Sequence, residues 1–340
     1  MTNVKLGTKS VGSIVKIKVN GASKDFIVVQ QGNPNTSTYD SSCAGTWLLM
    51  KDIYTTSTFG NNNSYKDSSI HTYLNGTFYN LIDSNIRAAI KQVKIPYQNG
   101  TGSGGSLATG SNGLSTKVFL LSGYEVGWTT SDNGYFPRDG AKLDYFGSGS
   151  GGNSKRVAYN GSSTAMWWLR SPHTDNYGSV WAVNPEGSYD AGRWNYYSCD
   201  VRPALILPST LLVSDDGTVS TNTAPSTPWN ISVPSSIMGG TNISISWAKS
   251  SDAESNLAGY KVERSTDGGW SWSRIYQGTA TSTTDTIAFG TTSVMYRVKA
   301  YDTEGLESGY TTSAIRTVRY NVAPAINASS TSLGEKSAPF

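Results

Sequence analysis

Between positions 214 and 228 the chain reads SDDGTVSTNTAPSTP, a stretch of Ser, Thr, Asp and Pro without an apolar run, which is the composition of an interdomain linker. It divides 340 residues, more than one hydrophobic core ordinarily organises, into two parts that must each bury a core of their own. The expected organisation is a larger domain over 1–213, the linker over 214–228 and a smaller domain over 229–320. Residues 321–340 read as a further linker or the opening of another β domain.

The larger part begins with β-rich segments. VGSIVKIKV (11–19), DFIVVQQ (25–31) and TWLLMKDIY (46–54) are β-branched or aromatic and are separated by Gly, Asn or Pro. Between 67 and 93 the period changes: Ile70, Tyr73, Leu74, Phe78, Leu81, Ile82, Ile86, Ala89 and Ile90 fall at helical spacing. Asp67 or Ser68 would cap a first helix and Asp83 or Ser84 a second, giving two helices packed on a sheet. The Gly/Ser/Thr-rich segments 100–113 and 147–154 read as flexible surface loops, with KVFLLS (117–122) a strand between them.

In the smaller part ISISW (243–247), GYKVERS (259–265) and VMYRVKAYD (294–302) alternate apolar and polar residues with period two, as strands packed on one face do. With Trp247, Tyr260 and Val262, the Asp-Gly-Gly turn at 267–269, and Tyr296, Val298 and Ala300 ahead of Asp302, Gly305 and Ser308, this part resembles the fibronectin type III family over about 225–320. That resemblance implies an all-β sandwich acting as a spacer or docking module.

From 164 to 213 the larger part turns aromatic and irregular. MWWLRSP (166–172) is an apolar run ended by Pro172. A polar, aromatic, Gly-punctuated stretch follows, until VRPALILP (201–208) restores a core strand. Trp167, Trp168, Leu169, Val201, Ala204, Leu205 and Leu207 read as core, with Arg170 and Arg202 beside them as makers of structural hydrogen bonds. WWLRSP followed by VRPALIL, together with IHTYLNGTFYNLI (70–82) and KVFLLSGYEV (117–126), resembles the C-type-lectin-like domain of phage tail and bacterial surface proteins. Some relatives of that kind are variable receptor-binding proteins of diversity-generating retroelements. The resemblance covers about 1–213. It implies an α+β C-type-lectin-like fold, mixed and loop-rich with two helices on small sheets, preceding the all-β fibronectin type III sandwich.

Residues 173–198, HTDNYGSVWAVNPEGSYDAGRWNYYS, are dense in Tyr, Trp, Asn, Ser and Asp, which join broad contact area to adaptable hydrogen bonding at small entropic loss. Held outward by the scaffold, His173, Asp175, Asn176, Tyr177, Trp181, Asn184, Glu186, Tyr189, Asp190, Arg193, Trp194, Asn195, Tyr196 and Tyr197 would form one recognition surface. The resemblance then implies adhesion or receptor binding by a phage tail or tail-like particle. Its partners would be a host-cell surface glycan or protein and other subunits of the particle, and a homo-oligomer is compatible. The alternatives are a structural decoration protein whose lectin-like domain packs on neighbouring subunits, and a glycan-binding module of a bacterial surface protein.

Other classes find little in the sequence. A formal net charge of +3, with no Lys/Arg cluster, speaks against nucleic acid. No apolar stretch approaches the ~20 residues of a membrane span. The start MTNVKLGTKSVGSIVKIKV lacks the apolar core of a secretory signal, so the expected location is a virion assembled in the cytoplasm and released on lysis, with the bacterial surface as alternative. Two cysteines, Cys43 and Cys199, and two histidines, His71 and His173, offer no metal spacing, and no cofactor is expected. Sugar-binding C-type lectins hold calcium with Glu-Pro-Asn or Gln-Pro-Asp and Trp-Asn-Asp; Asn184-Pro185-Glu186 and Trp194-Asn195-Tyr196 depart from both. Formylglycine-generating enzymes share that broad fold, but Cys199 has no cysteine near it in sequence. GSGSGG (147–152) lacks the Lys-Ser/Thr of a phosphate loop, and Asp132, Asp139, Asp144 and Asp200 read as turn chemistry. The chain is therefore expected to bind rather than catalyse.

Overall fold

The computed structural model describes residues 3–100 and 105–320, and the expectations for 321–340 and for positions 101–104 of the first Gly-rich loop lie outside them. Strand takes up 41% of the chain and helix 12%, so the fold is mostly β. The chain divides into two compact units, Met1–Asn222 and Thr223–Phe340.

The first unit holds two five-stranded sheets. One has the order Val118–Phe119, Ala204–Leu207, Thr46–Met50, Ala22–Gln31, Ile14–Val19, all antiparallel. Its centre is apolar on both faces: every residue of TWLLM and ALIL is buried. The other has the order Tyr189–Trp194, Ser179–Val183, Trp167–Pro172, Ser198–Val201, Thr55–Thr58. Within it, Trp167 and Asp200 are partners on parallel strands.

The helical period between 67 and 93 marks real helices. Ser68 caps the first by accepting the His71 N–H at 3.0 Å, and the run Ser69–Tyr73 continues through a π-helical turn, Leu74–Phe78, into Tyr79–Leu81. Asp83 caps the second, Ser84–Ala89, by accepting from Asn85 N. Ile70, Leu74, Phe78, Ile82, Ile86 and Ile90 are all buried in the unit's core. The π-helical turn sets the Asn75 amide against residues 117 and 118, whose N–H groups it accepts, while its Nδ2 donates to Val118 O at 2.9 Å.

Two expectations change in this unit. The segment 147–154 is no open loop: it coils into short helical turns, Gly149–Gly152 and Asn153–Arg156, around the buried Arg156. That guanidinium donates to Val126 O, Gly149 O, Gly147 O and Asn153 Oδ1 at 2.7–2.9 Å and lies 4.1 Å from the Trp128 ring. Glycine is small enough to leave carbonyls accessible on every side, so one arginine can organise the segment. The stretch 214–220 is likewise built into this unit. Val219–Ser220 pairs with Leu212–Val213, and Asp216 accepts from Ser214 Oγ and Thr218 N to close the turn between them.

The core also contains a charged cluster. Arg170 is fully buried and donates to both carboxylate oxygens of Glu125 at 2.5 and 2.7 Å, and to the carbonyls of Pro96, Leu120 and Asp139. All five N–H donors of a guanidinium have partners, as burial requires. Tyr39 donates to Glu125 Oε1 at 2.8 Å, and Ser122 N to Glu125 Oε2 at 2.9 Å. Arg202 is also buried, donating to Met50 O and Lys51 O with the Trp167 ring 4.9 Å away; burial pulls its pKa down to about 10. Cys43 and Cys199 are free buried thiols.

The second unit is a sandwich of two sheets. Trp229–Ser232, Asn242–Ala248 and Ser282–Thr286 make the smaller. Leu257–Ser265 and Ser293–Asp302 form the centre of the larger, flanked by Ser273–Gly278 and by Arg316–Arg319. The period-two pattern translates directly into burial: Ile243, Ile245 and Trp247 face Tyr260, Val262, Tyr296, Val298 and Ala300 in one core. In the 267–269 turn Asp267 Oδ1 accepts from Ser265 Oγ and Ser271 N, so one carboxylate ties the end of the first hairpin strand to the far side of the turn.

Candidate functional site

The stretch 173–198 is a hairpin with a return path. Ser179–Val183 is buried at every position and pairs antiparallel with Tyr189–Trp194, Ser179 opposite Trp194 and Val183 opposite Tyr189. Asn184 closes the turn, its Nδ2 donating to Tyr189 O at 3.2 Å. Gly187 there, at φ +83°, passes so near Asn153 that a Cβ would stand 2.0 Å from its carbonyl oxygen, which excludes any side chain.

The structure separates the expected surface residues into two groups. Trp181 is fully buried and corrects the expectation that it faces a ligand: its ring stacks on Phe136 at 3.7 Å and on His173 at 5.3 Å. The stack continues from His173 to Tyr135 at 4.7 Å and from Phe136 to Trp128 at 5.9 Å. Tyr189 is half-buried, presenting its edge to Trp128, Phe136 and Trp181 at 5.5–5.6 Å and donating to Asp132 O. Stacked and edge-on rings gain from quadrupole geometry beyond the area they bury, which is why an aromatic stretch beside Phe136 and Trp128 turns inward. His173, half-buried in this column, has its pKa lowered by burial, against the pull of Asp175.

Asn195 is the second correction. It is buried, and its backbone is a clamp: its N–H donates to Gly178 O at 2.9 Å while its carbonyl accepts from Phe59 N at 2.9 Å and Gly60 N at 3.4 Å. Tyr197 N returns to Trp194 O at 3.0 Å, closing a tight turn. Side chains on either side of the clamp are forced outward. Trp194, Tyr196 and Tyr197 are 43, 58 and 48% exposed, and Tyr177 is 59% exposed. Trp194 and Tyr196 stack at 5.8 Å with 30° between planes, Tyr196 and Tyr197 meet at 4.7 Å, and the Arg193 guanidinium lies 5.1 Å from the Tyr197 ring. Arg193 Nη2 donates to Ser198 O at 2.9 Å, fixing that end.

The remaining expected residues frame these rings or the turn. Asp175 and Glu186 are exposed, while Asn176, Asn184, Asp190 and Arg193 are half-buried. Asn176 Oδ1 accepts from Gly178 N, and Asp190 Oδ1 from Gly192 N, so both amide and carboxylate partly serve the backbone. Asn63 lies outside the expected set yet ties the region together. It is fully buried, and its Nδ2 points to the carbonyls of His173, Asn176 and Ser179 at 3.0–3.4 Å. A lone Asn more than 100 residues upstream carries no signal of that role in sequence. Neither does Tyr135, which caps the ring column.

Residues 44–209 match the model of a family described as a domain of unknown function (DUF6273). No curated protein matches the chain. Solved structures similar to part of it include a Fn3-like protein from Clostridium thermocellum, 28% identical, covering 30% of this chain and 98% of that one with a TM-score of 0.21. A fibronectin type III domain derived from human KIAA0970 protein is 16% identical, covering 34% of this chain and 84% of that one, with a TM-score of 0.23. Titin kinase with its flanking domains is 22% identical at a TM-score of 0.25; the match covers 28% of this chain and only 17% of that chain's length. The fibronectin type III-like, all-β part of the protein is the sandwich, whose two sheets and register are its own grounds for that description.

Proposed function

We propose that the first unit is a C-type-lectin-like recognition domain, and that the protein is the receptor-binding or adhesion component of a phage tail or tail-like particle. Its target is a molecule of the host-cell surface, bound without catalysis. The observation that carries this reading is the turn at 194–197: one buried Asn195 fastened by three backbone hydrogen bonds, with exposed rings on either side of it. Solvent-facing aromatics on a rigid backbone lose little entropy on binding and are the side chains most enriched in binding hot spots. The order of segments expected from the resemblance supports the family reading, and the sandwich then serves as spacer or docking module.

The test is an array of host surface glycans and envelope proteins probed with the full chain and with a Tyr196→Ala/Tyr197→Ala double variant. The parent chain retains at least one array component, and the variant releases it. Equal retention by both chains would remove the turn from the function.

A further inference from the structure

Three segments of the first unit meet around a small cavity: the turn at 129–132, the coil at 149–153 and the hairpin end at 188–189. It measures about 210 Å3 and is lined by Trp128, Asp132, Ser150, Asn153, Ser188 and Tyr189. Pockets for drug-sized ligands begin at about 300 Å3, so this one suits a single small group rather than a whole large molecule. Its shape is set by close packing. The hairpin approaches Asn153 at Gly187, where no side chain fits, and the Trp128 and Tyr189 rings meet edge-on at 5.6 Å.

Two of the polar side chains here commit one end to the fold and leave the other end unengaged. Asn153 Oδ1 accepts from Arg156 Nη1 at 2.9 Å, which fixes the amide plane; its Nδ2 has no partner among the described residues. Asp132 Oδ2 accepts from Thr129 N at 2.8 Å and Thr129 Oγ1 at 3.2 Å; its Oδ1 has none. Both residues keep contact with solvent, Asp132 exposed and Asn153 half-buried, as do Ser150 and Ser188 beside them. The cavity therefore offers one held donor, one held acceptor and two aromatic rings, with hydroxyls of Ser150 and Ser188 at its border.

That set selects the ligand. The Asp132 carboxylate disfavours an anion, and the buried Arg156 guanidinium, which feels the Asp132 charge, disfavours a cation. A neutral group remains. A secondary amide presents one N–H and one C=O on opposite sides of a plane, and a methyl on it would lie against the rings. We propose that this cavity takes the acetamido group of a 2-acetamido sugar, its N–H donating to Asp132 Oδ1 and its carbonyl accepting from Asn153 Nδ2. The sugar's own hydroxyls then lie toward Ser150 and Ser188. The cavity shares no residue with the exposed rings at 177, 194, 196 and 197, so the proposal does not depend on their role.

An amide-resolved NMR titration of the full chain tests this with N-acetyl-D-glucosamine, N-acetyl-D-galactosamine, D-glucose and glycyl-L-glutamine, each to ~50 mM, a range that captures millimolar affinities. At least one N-acetyl sugar shifts amides at 128–132, 149–153 and 188–189 saturably, and D-glucose binds at least ~10-fold more weakly. Asp132→Asn keeps an acceptor for Thr129 and turns the unengaged acceptor into a donor. Asn153→Asp keeps the acceptor for Arg156 and turns the unengaged donor into an acceptor. Each weakens binding of the sugar at least ~10-fold, because a mismatched polar contact loses more than the bond itself. The proposal is overturned if neither N-acetyl sugar shifts those amides, if D-glucose binds equally well, if the glutamine dipeptide binds more tightly than both sugars, or if both variants bind as the parent does. Should a variant misfold, the comparison of N-acetyl sugars with D-glucose on the parent chain decides by itself.

Discussion

Ser171 donates its hydroxyl to Asp139 Oδ2 at 2.7 Å in the core of the first unit, while Asp139 Oδ1 is buried with no partner. Burial pushes the Asp139 carboxyl up to about 7, against the opposing pull of Arg170 and of the Ser171 bond. With Glu125 already paired to Arg170, one cation faces two carboxylates, and a proton on Asp139 balances the cluster. A carboxyl raised in the folded state and ordinary in the unfolded chain adds stability below about pH 4, where both states are protonated. That contribution is lost as pH rises toward about 7, because the unfolded chain ionises first. The first unit should therefore lose up to ~4 kcal/mol from this group across that window. Urea denaturation at pH 5 and pH 8 reads the part lost above pH 5, ~3 kcal/mol, and Asp139→Asn should flatten the difference.

Breaking the Arg170–Glu125 pair should be severe. Glu125→Ala leaves a buried guanidinium without its counter-charge, and the loss of one partner from such a pair typically costs about 3–5 kcal/mol. The chemical denaturation midpoint reports it. A change under ~1 kcal/mol would mean that water reaches the site.

The two groups of rings should respond oppositely. Trp181→Ala removes the centre of a five-ring column and should destabilise by ~3–5 kcal/mol. The Tyr196→Ala/Tyr197→Ala pair should shift stability by no more than ~1 kcal/mol while abolishing target binding. Thermal unfolding alongside the array separates stability from recognition.

Gly178 should act on Trp194 alone. A Cβ there would stand 2.5 Å from Trp194 Cζ3, and that ring has solvent to swing into. Gly178→Ala should therefore displace the indole rather than unfold the unit, costing under ~1–3 kcal/mol. A red shift of tryptophan emission with loss of binding is the expected readout.

Cys43 and Cys199, with thiols pushed up to about 12 by burial, should resist iodoacetamide at pH 8 in the folded chain and react fully once denatured.

Much of this architecture is legible in the chain because local pattern and burial agree. The alternation in VMYRVKAYD becomes alternate burial along Ser293–Asp302, and Ser68 and Asp83 cap helices where the period changes. The misreadings come from partners that no local pattern announces. Phe136 draws Trp181 inward and Asn195 is claimed by Phe59 and Gly60, partners far away in sequence, while Arg156 wraps the Gly-rich segment beside it only because Val126 and Trp128 hold its guanidinium from about 30 residues upstream. Asp139 gave no local sign of a buried cluster because an acid residue beside Gly140 looks alike whether it lines a turn or a core, and nothing near Glu125 marks the Arg170 that pairs with it 45 residues on.

The parallel partnership of Trp167 with Asp200 fixes where the excursion between them departs and where it re-enters, at about one strand spacing, ~4.8 Å. Whatever chemistry is written at 177, 194, 196 and 197, those two anchorage points stay put. If the proposed binding role holds, exchanging exposed side chains would change the target while the foundation stays the same, as a tool changes its bit and keeps its chuck.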